Sequence, residues 1–207
     1  MLISRKKKFI FIHIYKNAGT SITNALIPIA ASKLQLKLMR LIKFLNLRCY
    51  DLQPYSGHIK ASELVKLMGK ENFKSYFSFA IVRNPFDLQV SLYLYILMMT
   101  NHYQHEIIKN LGSFDAYIKW RCDENNELQR DFVYSEDGEL LVDFIGKYED
   151  LENDFKIICD RIGVTLILPR LNVSDNRKEY QQYYTEESIE LVRHAFEADF
   201  SLFGYDF

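Results

Sequence analysis

The sequence predicts an α/β fold in three layers, a central parallel sheet flanked by helices. Two apolar strand signals, each running into a polar turn and then a helix, predict it, and a third strand signal with a following helix extends the pattern. Strands that alternate with helices build parallel sheets, and such sheets bind ligands beyond the carboxyl ends of their strands.

The first strand signal is residues 7–14, KKFIFIHI, a β-branched and aromatic run of the kind buried on both faces. The turn YKNAGT follows, and a helix is expected from Ser21 to Ile27, with Pro28 as its end. The second strand is 76–82, YFSFAIV. After Arg83, the next helix can be capped by Asn84 and opened by Pro85, whose missing N–H costs nothing at a first helical position. A third strand is expected at Val142–Tyr148, with helices at 62–68, 151–162 and 186–199. Gly163 suits the stop of the second of these helices, and Thr185 with Glu186 and Glu187 suits the start of the third.

The 207 residues, 48% of them hydrophobic, suffice for one domain with a sizeable core, and no repeat or Pro/Gly linker divides them. A net charge of −1 argues against nucleic acid as the main partner, since backbone binders carry a basic excess. Cys49, Cys122 and Cys159 are odd in number and without a C-x-x-C pair, which points to a reducing compartment rather than a disulfide framework or a zinc site. The basic start breaks at His13, too early for a secretory signal, and the apolar run Leu92–Met99 is too short to span a bilayer. A cytoplasmic chain is the expectation.

Chemistry concentrates at the two strand ends. Gly19 lets backbone approach a ligand, the free N–H groups of a helix start point at anions, Thr20 and Ser21 add hydroxyls, and Lys16 adds a positive charge. This is not a Walker A loop, because Lys16 precedes the glycine and no glycine opens the turn. At the second strand end, Arg83 offers a planar fork for a phosphate, and Ser91 returns to the same helical face about two turns later. Arg83 could instead pair with Asp87. His13, inside the strand signal, reads as a hydrogen-bonded core residue, while His102 and His105 flank Tyr103 as acceptor-cleft or surface residues.

FIHIYKNAGTS resembles the 5′-phosphosulfate loop of the sulfotransferase superfamily, whose carbohydrate-directed branch often reads I-x-K-T-A-G-T-S. FAIVRNPFDLQVSLY resembles that branch's 3′-phosphate motif, V-R-N-P-Y-D-R-L-V-S-x-Y. YSGHIKASEL, IGKYEDLENDF and the closing FGYDF extend the likeness over most of the chain. The resemblance implies a P-loop-like fold and a donor, 3′-phosphoadenosine-5′-phosphosulfate (PAPS), that leaves as adenosine 3′,5′-bisphosphate. It implies that Lys16, Asn17, Ala18, Gly19, Thr20 and Ser21 wrap the 5′-phosphosulfate and that Arg83 and Ser91 hold the 3′-phosphate. His58 falls where the heparan 2-O-sulfotransferase branch has its catalytic histidine, and Arg177 and Lys178 fall in the late nucleotide loop.

The implied reaction is in-line transfer of a sulfuryl group to a hydroxyl acceptor, a carbohydrate or glycolipid, with Lys16 at the leaving oxygen and His58 as base. No metal is expected. Tyr15 and Asn17 depart from the common proline and threonine, and Leu88–Gln89 replaces the usual Arg-Leu, removing a charge after Asp87. Residues 33–48 read as a basic amphipathic helix that is either a solvated face over a core stripe or a surface for an anionic acceptor or membrane. The competing functional classes are a P-loop-like kinase or hydrolase, which would need Mg²⁺ and ATP, and a catalytically silent adenine-nucleotide-binding module.

Overall fold

In the computed structural model the described residues are 1–31, 57–124, 126–169, 171 and 178–207. The basic segment 33–48 lies outside them, as does Arg177. Short helical turns at Arg130–Val133, Tyr148–Asp150 and Tyr180–Tyr183 aside, the elements in chain order are β1 (Leu2–Ser4), β2 (Phe9–Ile12), α1 (Gly19–Ala30), α2 (Ala61–Met68), α3 (Lys70–Lys74), β3 (Phe77–Val82) and α4 (Pro85–Met98). There follow α5 (His105–Leu111), α6 (Phe114–Glu124), β4 (Phe144–Lys147), α7 (Leu151–Ile162), α8 (Glu186–Ala195) and α9 (Glu197–Phe203). The chain gathers into two compact units, Met1–Val82 with Asp131–Asn172 and Arg83–Arg130 with Val173–Phe207.

The first unit holds the sheet, in the order β1-β2-β3-β4. β2, β3 and β4 run parallel, with Ile12 opposite Ala80 and Val82 opposite Lys147. Successive strand side chains point to opposite faces. Phe9, Phe11, Phe79 and Ile81 therefore share one face, where they pack with Ile22 and Leu26 of α1 and Phe155 and Ile158 of α7. Ile10, Ile12, Ala80 and Val82, on the other face, are buried as well. This two-sided burial explains why the strands read as continuous apolar runs rather than as alternation.

The sequence reading missed β1. It pairs antiparallel with β2 as a three-residue edge strand, and the run Arg5–Lys8, whose Lys7 and Lys8 were expected in the strand 7–14, is the turn between them. The first helix also differs from expectation. It begins at Gly19 and passes through Pro28 to Ala30. So near the helix end, the proline forfeits one backbone bond but has little helix left to disrupt. The end itself is tied down, because Ser4 Oγ donates to the Ala30 carbonyl at 3.1 Å.

In the second unit, α4, α5, α6 and α8 pack around Phe86, Ile96, Ile108, Tyr117 and Val192. Asn84 and Pro85 open α4 as expected, with the Asn84 side chain accepting from the Phe86 N–H. Thr185 caps α8 in a reciprocal box with Ser188. The single helix expected at 186–199 is two, because Phe196 leaves helical geometry (φ −115°, ψ 22°) while its side chain stays fully buried. Among the described residues no helix is long and apolar enough to cross a membrane.

Phe79 is the centre of the first unit's core, with Phe11 at 5.2 Å and Phe77 at 5.6 Å between ring centroids. Phe79→Ala is expected to cost about 3–5 kcal/mol in urea unfolding, the range for a truncated buried aromatic; a loss below about 1 kcal/mol would contradict this packing.

Candidate active site

The loop between β2 and α1 leaves the carboxyl edge of the parallel strands and bends sharply. Lys16 (φ 61°) and Ala18 (φ 56°) both occupy the left-handed region, on either side of Asn17. For a residue with a Cβ this conformation costs roughly 1–2 kcal/mol, and such strain persists only where surrounding structure imposes it. Asn17 supplies the constraint. Its side chain is buried, and its Nδ2 donates to the Ile81 carbonyl of β3 at 2.9 Å. The departure from threonine noted at Asn17 thus straps the loop to the next strand. Backbone turned this way, just ahead of a helix start, gathers N–H groups into an anion-binding concavity.

Gly19 begins α1, and its lack of a side chain is a steric requirement. A Cβ there would lie 1.7 Å from Nε2 of His13. His13 is not the strand-interior core residue the sequence reading expected. β2 ends at Ile12, and the His13 ring, only partly buried, turns onto the first turn of α1. Burial, then the charges of the amino terminus and His58, push its imidazole down to about 3, so it is neutral at ordinary pH.

His58 stands beside it, with the two ring centroids 4.7 Å apart. Nδ1 of His58 is 2.9 Å from the His13 carbonyl oxygen. A carbonyl only accepts, so Nδ1 carries the proton, and Nε2 of the neutral ring keeps its lone pair. His13, Gly19, Thr20, Thr23, Asn24 and His58 line a cavity of about 330 Å³ in the first unit, at the small end of the usual range for ligand sites. The loop's helix start and His58 thus share one cavity. Thr20 is exposed at the helix start, whereas Ser21 is buried and its Oγ accepts from the Leu171 N–H at 3.3 Å.

In the second unit Arg83 is 5% exposed, and its Nε and Nη2 both reach Asp87 Oδ2 at 2.6 Å. The pairing that sequence allowed as an alternative is therefore present. Ser91 is partly buried on α4, and Lys178 is exposed. His105 is a structural residue, buried with Nδ1 2.9 Å from the Ile96 carbonyl. The Leu88–Gln89 departure is accommodated in the core. Both residues are fully buried, and Gln89 Oε1 accepts from the Tyr117 hydroxyl at 3.2 Å and from Arg121 Nε at 3.1 Å.

The loop, strapped to the next strand by Asn17, thus runs into a helix start that borders the same cavity as His58, whose Nδ1 faces the His13 carbonyl. The model of the Sulfotransferase family matches residues 1–206, and the chain belongs to that family. An uncharacterized protein of Archaeoglobus fulgidus is 34% identical over 47% of this chain and 76% of its own length. Carbohydrate sulfotransferase 10 of Homo sapiens is 25% identical over 66% of this chain and 49% of its own length, and that of Rattus norvegicus is 25% identical over 72% and 52%. The chain spans about half the length of these two curated sulfotransferases.

The Gly19–His13 contact gives a direct test. Gly19→Ala is expected to lower stability by about 1–3 kcal/mol, as overpacking does, and His13→Ala in the same chain should recover most of that loss in a double-mutant cycle. Additive losses would mean that the two residues do not press on each other.

Proposed function

We propose that this chain transfers the sulfuryl group of PAPS to a hydroxyl of a carbohydrate or glycolipid acceptor. The observation that carries the reading is the cavity shared by the first turn of α1 and His58. Family membership and the curated relatives named carbohydrate sulfotransferase support the reaction class and the kind of acceptor.

In this reading the backbone N–H groups of Ala18–Ser21 and the Lys16 ammonium receive the 5′-phosphosulfate. Arg83 and Ser91 take the 3′-phosphate, and Arg177 and Lys178 are the candidates for further nucleotide contacts. His58 Nε2 removes the acceptor's hydroxyl proton as that oxygen attacks sulfur. The S–O bond to the bridging oxygen breaks, and the negative charge left on the departing phosphate is met by the loop amides and Lys16. Donors fixed in advance at the place where charge grows stabilise a transition state most, because they need no reorganisation. The bond from Nδ1 to the His13 carbonyl keeps His58 in the tautomer that accepts a proton at Nε2. His13, neutral beside it, adds no competing charge.

The test is calorimetry followed by turnover with labelled PAPS on a glycan and glycolipid panel. Adenosine 3′,5′-bisphosphate should bind without metal, and Lys16→Ala should weaken it. His58→Ala should leave that binding intact while cutting transfer by about 10²–10⁴-fold, the usual contribution of a general base. Preference for Mg-ATP, or full transfer by His58→Ala, would overturn the assignment.

A further inference from the structure

A buried polar relay that sequence motifs did not suggest ends on Arg83. Gln129 is 1% exposed, and its side-chain amide engages both backbone groups of Arg83. Oε1 accepts the Arg83 N–H at 2.9 Å, and Nε2 donates to the Arg83 carbonyl at 2.8 Å. One side chain here does what a neighbouring strand would do for the residue that follows β3. Gln129 is itself held from behind. Its backbone N–H donates to Asp199 Oδ2 and that of Arg130 to Asp199 Oδ1, both at 2.9 Å.

Asp199 is fully buried. A carboxylate is removed from water only at high cost unless charge-assisted bonds compensate it. An apolar residue at this buried position of α9 would avoid that cost. A carboxylate placed there and satisfied by two N–H groups fixes the path of the chain through Gln129 and Arg130. At the far end of the relay the guanidinium of Arg83 is held along one edge by Asp87. Backbone and side chain of Arg83 are thus gripped separately, which sets the direction of its planar fork.

We propose that Gln129 and Asp199 are positioning residues for Arg83, and that their task is to aim its guanidinium at the 3′-phosphate of the nucleotide donor. The inference rests on the donor assignment made under Proposed function. It names the residues that make the chain discriminate between a 3′-phosphorylated and an unphosphorylated adenosine.

The experiment measures Kd for adenosine 3′,5′-bisphosphate and for adenosine 5′-phosphate, by calorimetry, on the full chain and on Gln129→Met and Asp199→Asn. The unaltered chain is expected to prefer the bisphosphate. Gln129→Met should lose roughly tenfold of that preference, about 1.4 kcal/mol, while the affinity for the 5′-phosphate changes less than about twofold. Asp199→Asn should fall between. If Gln129→Met does not fold, Gln129→Glu, which keeps the size and the acceptor but not the donor, reads the same ratio. Variants that melt earlier yet keep the full preference would show a purely structural relay and overturn the inference alone. An unaltered chain that binds both nucleotides equally would overturn the donor assignment and the inference with it.

Discussion

The bond from Asn17 to the Ile81 carbonyl is the constraint on which the rest of the candidate site depends. It fixes a short loop, whose flanking residues Lys16 and Ala18 stand in a backbone region that side chains disfavour, to the end of the central strand. The free energy for holding two such residues comes from the core below them. There Phe9, Phe11, Phe79 and Ile81 interlock with α1 and α7 and leave the strand end nowhere to move. Under the proposed function, a strained loop on a rigid edge would meet the donor's anionic end already shaped, and such preorganisation is what stabilises a transition state most.

From the same loop the geometry passes to the histidines. α1 starts with a residue that has no side chain, which admits the His13 ring. The His13 backbone, in turn, dictates which nitrogen of His58 carries a proton. Each step is local and short-ranged, and each would fail with one methyl group or one lost carbonyl contact. The membership of the chain in the Sulfotransferase family fits this economy, because sulfuryl transfer asks the protein chiefly for placement and for compensation of charge on a departing phosphate.

Much of the fold was legible in the sequence because burial on both faces leaves uninterrupted apolar strands, and because Asn84, Pro85, Gly163 and Thr185 are strong local punctuation. β1 was not legible. Three residues followed by four basic ones carry no periodic signal, and only pairing with β2 makes them a strand. His13 was misjudged because a strand end cannot be located within one residue from an apolar run. At the end of β3, Arg83 is marked in the sequence by its motif. Gln129 is not, since a glutamine in a polar stretch looks like surface until Asp199 and Arg83 arrive from distant parts of the chain. Asp199 did leave a trace, a lone carboxylate on the helical face shared by Phe196 and Phe203, both buried.

Backbone amide shifts in a ¹⁵N-labelled sample, followed as adenosine 3′,5′-bisphosphate is added, test the central claim most directly. The largest and most saturable changes should fall on Ala18, Gly19, Thr20 and Ser21. Saturation of the nucleotide elsewhere, with these four amides unmoved, would contradict the account.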